Sequence, residues 1–170
     1  RIYAQKENLA HVIGYVGPVS DYYLKQIENP DPLLQIPRFQ VGKTGVEAQM
    51  ESNLRGSAGL QRVEVNSVGR IIRELERVEG DSGKPIQLTI DSKIQNYALA
   101  RLGNLSASAV VIDCSNGDLL AVGSSPSFDP NLFVRGISSK KYNGLRDDIF
   151  GPLRAKAIQG TYAPASTFKM

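Results

Sequence analysis

Residues 107–123 read Ala-Ser-Ala-Val-Val-Ile-Asp-Cys-Ser-Asn-Gly-Asp-Leu-Leu-Ala-Val-Gly, and this stretch is the clearest structural signal in the chain. Two apolar runs, 109–112 and 119–122, flank the pair Asn116-Gly117. Asn-Gly between apolar runs is a strong signal for a tight turn that joins antiparallel strands. The sequence therefore predicts a β-hairpin over 107–123.

Outward from this hairpin, short helical and extended patterns are mixed, which predicts an α+β fold. Thr44 with Glu47, and Ser92 with Gln95, have the spacing of a capping box at a helix start. Asp91 is an alternative cap for the second of these helices. The other expected elements are strands over 10–16, 60–66 and 86–90, a strand over the ambiguous 70–79, and helices over 20–27, 45–54 and 138–148.

Length and composition allow one compact domain or two small ones. The chain has 170 residues, is 41% hydrophobic and carries a formal net charge of +3. The mild charge is spread along the chain and names no partner. No apolar run approaches the roughly 18 residues of a membrane-spanning helix. The sequence becomes more apolar after residue 105, which predicts two domains, 1–105 and 106–170.

A single cysteine and a single histidine limit the chemistry. Cys114 has no partner for an intramolecular disulfide, and its apolar surroundings predict a buried position. His11 lies in a strand-like run, where a structural role is expected. With one residue of each type, no zinc site is expected.

The residues with catalytic potential are Ser166 and Lys169. Pro164 suits the start of a helix, and residues three apart on a helix are neighbours, so the Lys169 amine can reach the Ser166 hydroxyl. A serine becomes a nucleophile when such a base accepts its proton, and burial can lower the pKa of a lysine enough for this role. A helix N-terminus also favours a developing oxyanion. Penicillin-binding proteins and serine β-lactamases share this S-x-x-K pattern.

Two further motif matches are interpreted as structural. Ser138 and Lys141 repeat the S-x-x-K spacing, but we expect Ser138 to cap a helix. Residues 43–45, Lys-Thr-Gly, match the K-T-G triad of such active sites, but they precede Ser166 whereas that triad follows the serine. We therefore expect a helix start at 43–45. The sequence contains no S-x-N triplet and no K-T-G after Ser166.

Several stretches in order resemble the class B penicillin-binding proteins, most of all their elongation-specific subgroup, penicillin-binding protein 2. The resemblance covers nearly the whole chain, and its only departures in the nucleophile box are Ala163 and Ala165, where the family usually has proline and glycine. The similar stretches are 11–17, 42–47, 54–59 and 88–95 for the non-catalytic pedestal domain, 121–138 for the start of the transpeptidase domain, and 160–169 for the nucleophile box.

The resemblance implies a serine D-Ala-D-Ala transpeptidase that cross-links peptidoglycan stem peptides. Ser166 would be the nucleophile, acylated by stem peptides or β-lactams and with its own backbone N–H in the oxyanion hole. Lys169 would be the general base. No cofactor and no metal are implied, and no nucleic acid is expected as a partner. The family lies at the periplasmic face of the inner membrane, and its pedestal docks a glycan polymerase and cell-shape scaffold proteins.

Other interpretations stay open. Both ends of the sequence look cut, so we expect the piece alone to be inactive, and it could act only as a docking pedestal. A β-lactamase-like hydrolase or sensor shares S-x-x-K but usually lacks the pedestal, and the spacing of Ser166 and Lys169 could be a coincidence in a structural protein. The exposed strand edges of the hairpin could pair with another copy.

Overall fold

The computed structural model describes residues 2–28, 30–164 and 166. In this part of the chain, short helices are mixed with three two-stranded antiparallel sheets, which confirms the α+β prediction. The strands are β1 (Val16–Pro18), β2 (Gln40–Gly42), β3 (Leu60–Val65), β4 (Ile71–Val78), β5 (Ala107–Ile112) and β6 (Leu119–Ser125). The helices are α1 (Ala10–Ile13), α2 (Asp21–Lys25), α3 (Gly45–Gln49), α4 (Glu51–Arg55), α5 (Ser92–Leu102), α6 (Asn131–Val134), α7 (Ser139–Arg146) and α8 (Lys156–Gln159).

The hairpin predicted over 107–123 is present as β5 and β6. Its register runs from Ala107 opposite Ser125 to Ile112 opposite Leu119. Gly117 has a φ of 81°, which glycine adopts without steric cost, so the Asn-Gly pair sets the turn. Cys114 lies in this turn and is exposed. The expectation of a buried cysteine was wrong because the apolar strand ends at Ile112.

The ambiguous segment 70–79 is a strand, as predicted, and pairs with β3. As a helix it would place Ile71, Ile72, Leu75 and Val78 on one face, whereas in the observed strand all four are at least half exposed. A helix gains most of its stability from a packed apolar face, so pairing with β3 is the better solution. Cross-strand ion pairs reinforce it: Arg62 with Glu76 at 3.4 Å and Arg73 with Glu64 at 2.5 Å.

Two predicted strands, 10–16 and 86–90, are not formed. Residues 10–13 make one helical turn that ends where Gly14 adopts a φ of 79° and donates its N–H to the Ala10 carbonyl. A Cβ at Gly14 would lie 1.9 Å from the Thr44 carbonyl oxygen, so only glycine fits here. Residues 86–90 form no ladder. Their alternating apolar residues line a groove instead. The alternation therefore results from apolar contacts in this groove and not from pairing with another strand.

Neither predicted capping box is formed. The Thr44 side chain makes no capping hydrogen bond, and the buried Glu47 carboxylate accepts a hydrogen bond from the Tyr3 hydroxyl at 3.1 Å. The cap of α5 is Asp91, whose carboxylate accepts from the backbone N–H groups of residues 93 and 94 at 2.7 and 3.0 Å. The Gln95 side chain takes no part in this cap, because it is buried against Asn8 and Val122. Tertiary contacts therefore outweigh local capping at both glutamate and glutamine.

The main core is aromatic and draws on both ends of the sequence. The Tyr15 ring stacks on Phe133 at a centroid distance of 4.2 Å, and Phe128 meets Phe133 edge-on at 5.5 Å. Ala10 packs into the same cluster at 1% exposure. A hydrogen bond also joins the two ends of the sequence: the Tyr3 N–H donates to Asn131 Oδ1 at 2.9 Å. Residues before and after position 105 thus share one core.

Gln95 joins three separate segments inside this structure. Its side-chain amide donates to the Asn8 carbonyl at 2.8 Å and to the Val122 carbonyl at 3.0 Å. Its oxygen accepts the Val122 N–H at 2.8 Å. The residue is 1% exposed, so no water can replace these bonds. Helix α5, strand β6 and the N-terminal segment are therefore held together by one amide.

Replacing Gln95 with methionine keeps an unbranched side chain of similar length but removes the partner of the two buried Val122 backbone groups and of the part-buried Asn8 carbonyl. We expect Gln95→Met to lower the free energy of unfolding by about 2–4 kcal/mol. Urea denaturation of the whole protein measures this, with Gln26→Met at an exposed position as the matched control. A Gln95→Met variant as stable as the control would contradict this role.

Candidate active site

The chain reaches Ser166 from helix α8. The Gly160 N–H donates to the Lys156 carbonyl at 2.9 Å, which closes the helix. Residues 161–164 then run without helix or strand and are exposed. Ser166 is exposed. Lys169 and its expected contact with Ser166 lie outside the described residues, so that pairing stays a prediction.

Helix α8 is fixed by two contacts with earlier parts of the chain. The Ala157 N–H donates to Ser124 Oγ at 3.1 Å, and Ser124 is buried in strand β6. The Lys156 ammonium donates to the Gly151 carbonyl at 3.1 Å. The hairpin β5–β6 and the Gly151 turn therefore meet at the helix from which the serine segment leaves.

Lys156 is a buried cation, with an exposed fraction of 6%. Burial lowers its pKa from the ordinary value, the positive charge of Arg154 lowers it further, and the carboxylate of Asp148 opposes both effects. Sequence reasoning missed this residue. The available signal was its position between Ala155 and Ala157 on a short helix, where an apolar residue would be expected.

A cleft of about 240 Å³ runs beside the serine segment. It is polar and open on one side, and its lining includes two cations of the α8 region. The lining residues are Ser106, Ile149, Phe150, Gly151, Arg154, Lys156, Gly160, Thr161 and Tyr162. The last of these lining residues, Tyr162, precedes Ser166 by four positions in the sequence.

His11 lies in the aromatic core, against Phe128. Its ring meets Phe128 edge-on at a centroid distance of 5.3 Å, and its buried Nε2 makes no hydrogen bond. Its pKa is lowered from 6.5 to about 4, mainly by burial and further by the charge of Lys156, while a hydrogen bond with the Pro152 backbone opposes the shift. The ring is therefore neutral at pH 7, which fits the expected structural role.

The two motif matches interpreted as structural have structural contacts. Ser138 caps α7, and its hydroxyl accepts the Lys141 N–H at 3.4 Å. Lys43 places its ammonium 5.8 Å from the centre of the Tyr23 ring, and Thr44 precedes α3. Among the described residues, no three His, Cys, Asp or Glu side chains gather as a metal site requires. No helix in the described ranges has the length and apolar character needed to cross a membrane.

Comparison with protein families accounts for most of the chain. The penicillin-binding protein dimerisation domain matches residues 1–88, and the penicillin-binding protein transpeptidase domain matches residues 107–170. The chain belongs to the class B penicillin-binding proteins. A boundary at residue 105 stays a prediction, since the aromatic core contains residues from both sides of it.

Individual relatives agree with this family. The peptidoglycan D,D-transpeptidase MrdA of Escherichia coli K12 is 44% identical over 170 residues, which are 99% of this chain and 27% of that protein. Penicillin-binding protein 2 of Pseudomonas aeruginosa, solved with WCK 5153, superposes with a TM-score of 0.80 at 40% identity and covers 97% of this chain and 32% of that one. A complex of penicillin-binding protein 2 with MreC from Helicobacter pylori gives 0.80 at 34% identity, with 91% and 28% coverage.

The lowered pKa of His11 makes stability depend on pH. As pH falls through 6.5, the unfolded chain takes up a proton that the folded ring accepts only near pH 4. Stability is therefore lost between pH 6.5 and 4 and is unaffected above 6.5. We expect a loss of about 2 kcal/mol by pH 5 from this residue.

The variant His11→Phe keeps an aromatic ring and removes the titration. Urea denaturation at pH 7 and pH 5 should show a smaller decrease in the variant than in the wild type, while carboxylates contribute equally to both. Equal decreases in the two proteins would show that His11 is not held neutral by burial.

Proposed function

We propose that this chain is the pedestal and the first part of the catalytic domain of a peptidoglycan D,D-transpeptidase that acts in cell-wall elongation. The observation that carries the proposal is the order of the two domains, with Ser166 and Lys169 inside the transpeptidase match at 107–170. The identity of 44% with MrdA over 170 residues supports it. The pedestal match favours a transpeptidase over a β-lactamase-like hydrolase.

The proposed reaction proceeds through an acyl-enzyme. Ser166 Oγ attacks the carbonyl of the penultimate D-alanine of a stem peptide, and its proton passes to the Lys169 amine. The backbone N–H of Ser166 stabilises the oxyanion. The bond to the terminal D-alanine breaks, and that residue leaves with the proton. An amine of a neighbouring stem peptide then attacks the ester, the bond to Ser166 Oγ breaks, and the proton that the amine loses returns to Ser166 Oγ, which forms the cross-link and frees the serine.

The exposure of Ser166 and the fixed position of α8 support this assignment. An exposed hydroxyl can meet a substrate as large as a peptidoglycan strand, while the contacts of α8 limit where the segment can go. β-Lactams would acylate the same hydroxyl.

The pedestal domain is the proposed binding site for partner proteins. A relative, penicillin-binding protein 2 of Helicobacter pylori, is known in complex with MreC. The superposition covers 91% of this chain and 28% of that one. We infer that the pedestal here binds a cell-shape scaffold of that kind and a membrane glycan polymerase. The protein would be anchored in the inner membrane and face the periplasm. For the isolated piece, docking of such partners is the second candidate function.

Acylation by a fluorescent penicillin tests the assignment in the whole protein. We expect one β-lactam per molecule by mass spectrometry, and a loss of labelling by at least about a thousandfold in Ser166→Ala. Ser138→Ala, which removes the other S-x-x-K serine, is the matched control and should label as the wild type does.

Labelling that survives in Ser166→Ala would refute the nucleophile assignment. Rapid release of hydrolysed β-lactam by the wild type would instead favour the hydrolase interpretation.

A further inference from the structure

The buried position of Lys156 carries a free-energy cost. A buried ammonium loses its hydration, and an ion pair is the usual compensation. The ion pairs formed by residues 2–28, 30–164 and 166 do not include Lys156, whose ammonium instead donates to the Gly151 carbonyl. A methionine would fill the same space at lower cost, so the charge requires an explanation.

The position of Lys156 in the chain suggests one. Its own carbonyl accepts the Gly160 N–H at 2.9 Å, and its neighbour Ala157 is bonded to Ser124 at 3.1 Å. The ammonium at the other end of the side chain reaches the turn at Gly151. One residue thus ties the turn at Gly151 to the point where the segment leading to Ser166 begins.

We propose that Lys156 is a positioning residue for the nucleophile: its charge, held on the Gly151 carbonyl, fixes where the segment 160–164, which leads to Ser166, leaves helix α8. The inference rests on the proposed role of Ser166. Misplacement of a nucleophile by about 1 Å can cost as much as a hundredfold in rate. Lys156 acts through the backbone, since its ammonium donates to the Gly151 carbonyl and its own carbonyl accepts the Gly160 N–H.

The charges that face Lys156 come from three neighbouring elements. Arg154 lies just before α8, Asp148 lies in the turn after α7, and His11 lies in α1. His11 is neutral above pH 6.5, so it does not change charge in the alkaline range. We therefore assign a loss of acylation rate at alkaline pH to deprotonation of Lys156 if Lys156→Arg moves that loss to higher pH.

Acylation of the whole protein by a fluorescent penicillin measures the effect. Lys156→Met keeps an unbranched side chain one atom shorter and removes the charge, whereas Lys156→Arg keeps the charge. Lys140→Met, at an exposed position, is the control. The rate constant for acylation at saturating penicillin, the concentration for half-maximal rate and the final labelled fraction are measured for each variant from pH 6 to 10.

We expect Lys156→Met to acylate roughly tenfold to a hundredfold more slowly, with the half-maximal concentration and the labelled fraction unchanged. Lys156→Arg should stay within about threefold of the wild type, and its alkaline loss of rate should move to higher pH, because arginine stays charged. Unfolding would lower the labelled fraction instead of the rate.

Three results would overturn the inference: a Lys156→Met rate like that of Lys140→Met, equal slowing in Lys156→Met and Lys156→Arg, or an alkaline limb that Lys156→Arg does not move. If Lys156→Met does not fold, the alkaline limb decides. A wild type that no penicillin labels would refute the proposed function, and this inference with it. A labelled wild type with normal Lys156→Met kinetics would refute this inference alone.

Discussion

The structure depends on the amide of Gln95, which satisfies the buried backbone groups of Val122 and the carbonyl of Asn8 with one side chain. Glutamine suits this position because its amide offers two donors and an acceptor, whereas a carboxylate has no donor and an apolar residue has neither. Strand β6, fixed in this way, presents Ser124 to helix α8. The approach to Ser166 therefore starts from a frame that Gln95 holds in place.

The sequence predicted those elements whose cause is local. Asn116-Gly117 predicted its hairpin, and Ser138 its helix, because turn and cap chemistry acts over a few residues. Gln95 and Glu47 were misassigned for the same reason. Each has capping-box spacing, but Gln95 binds partners 27 and 87 positions away, and Glu47 binds Tyr3 44 positions away. Such contacts leave no short-range pattern in the chain.

The candidate site shows the same division. Ser166 is predicted from motif spacing and stays a prediction, while Lys156 has no motif and is recognised only by its burial and its bond to Gly151. Its charge also affects the core, since it helps to keep His11 neutral. A neutral imidazole packed on Phe128 avoids a second buried cation beside the first. Helix α8 and the aromatic core are thus electrostatically linked.

The central claim is that Gln95 makes the N-terminal segment and the hairpin one cooperative unit. Hydrogen–deuterium exchange of the whole protein, read by mass spectrometry on peptides covering 8–14 and 119–125, tests it most directly. The account predicts that Gln95→Met accelerates exchange in both peptides to a similar extent. Faster exchange in 119–125 with wild-type protection in 8–14 would contradict it.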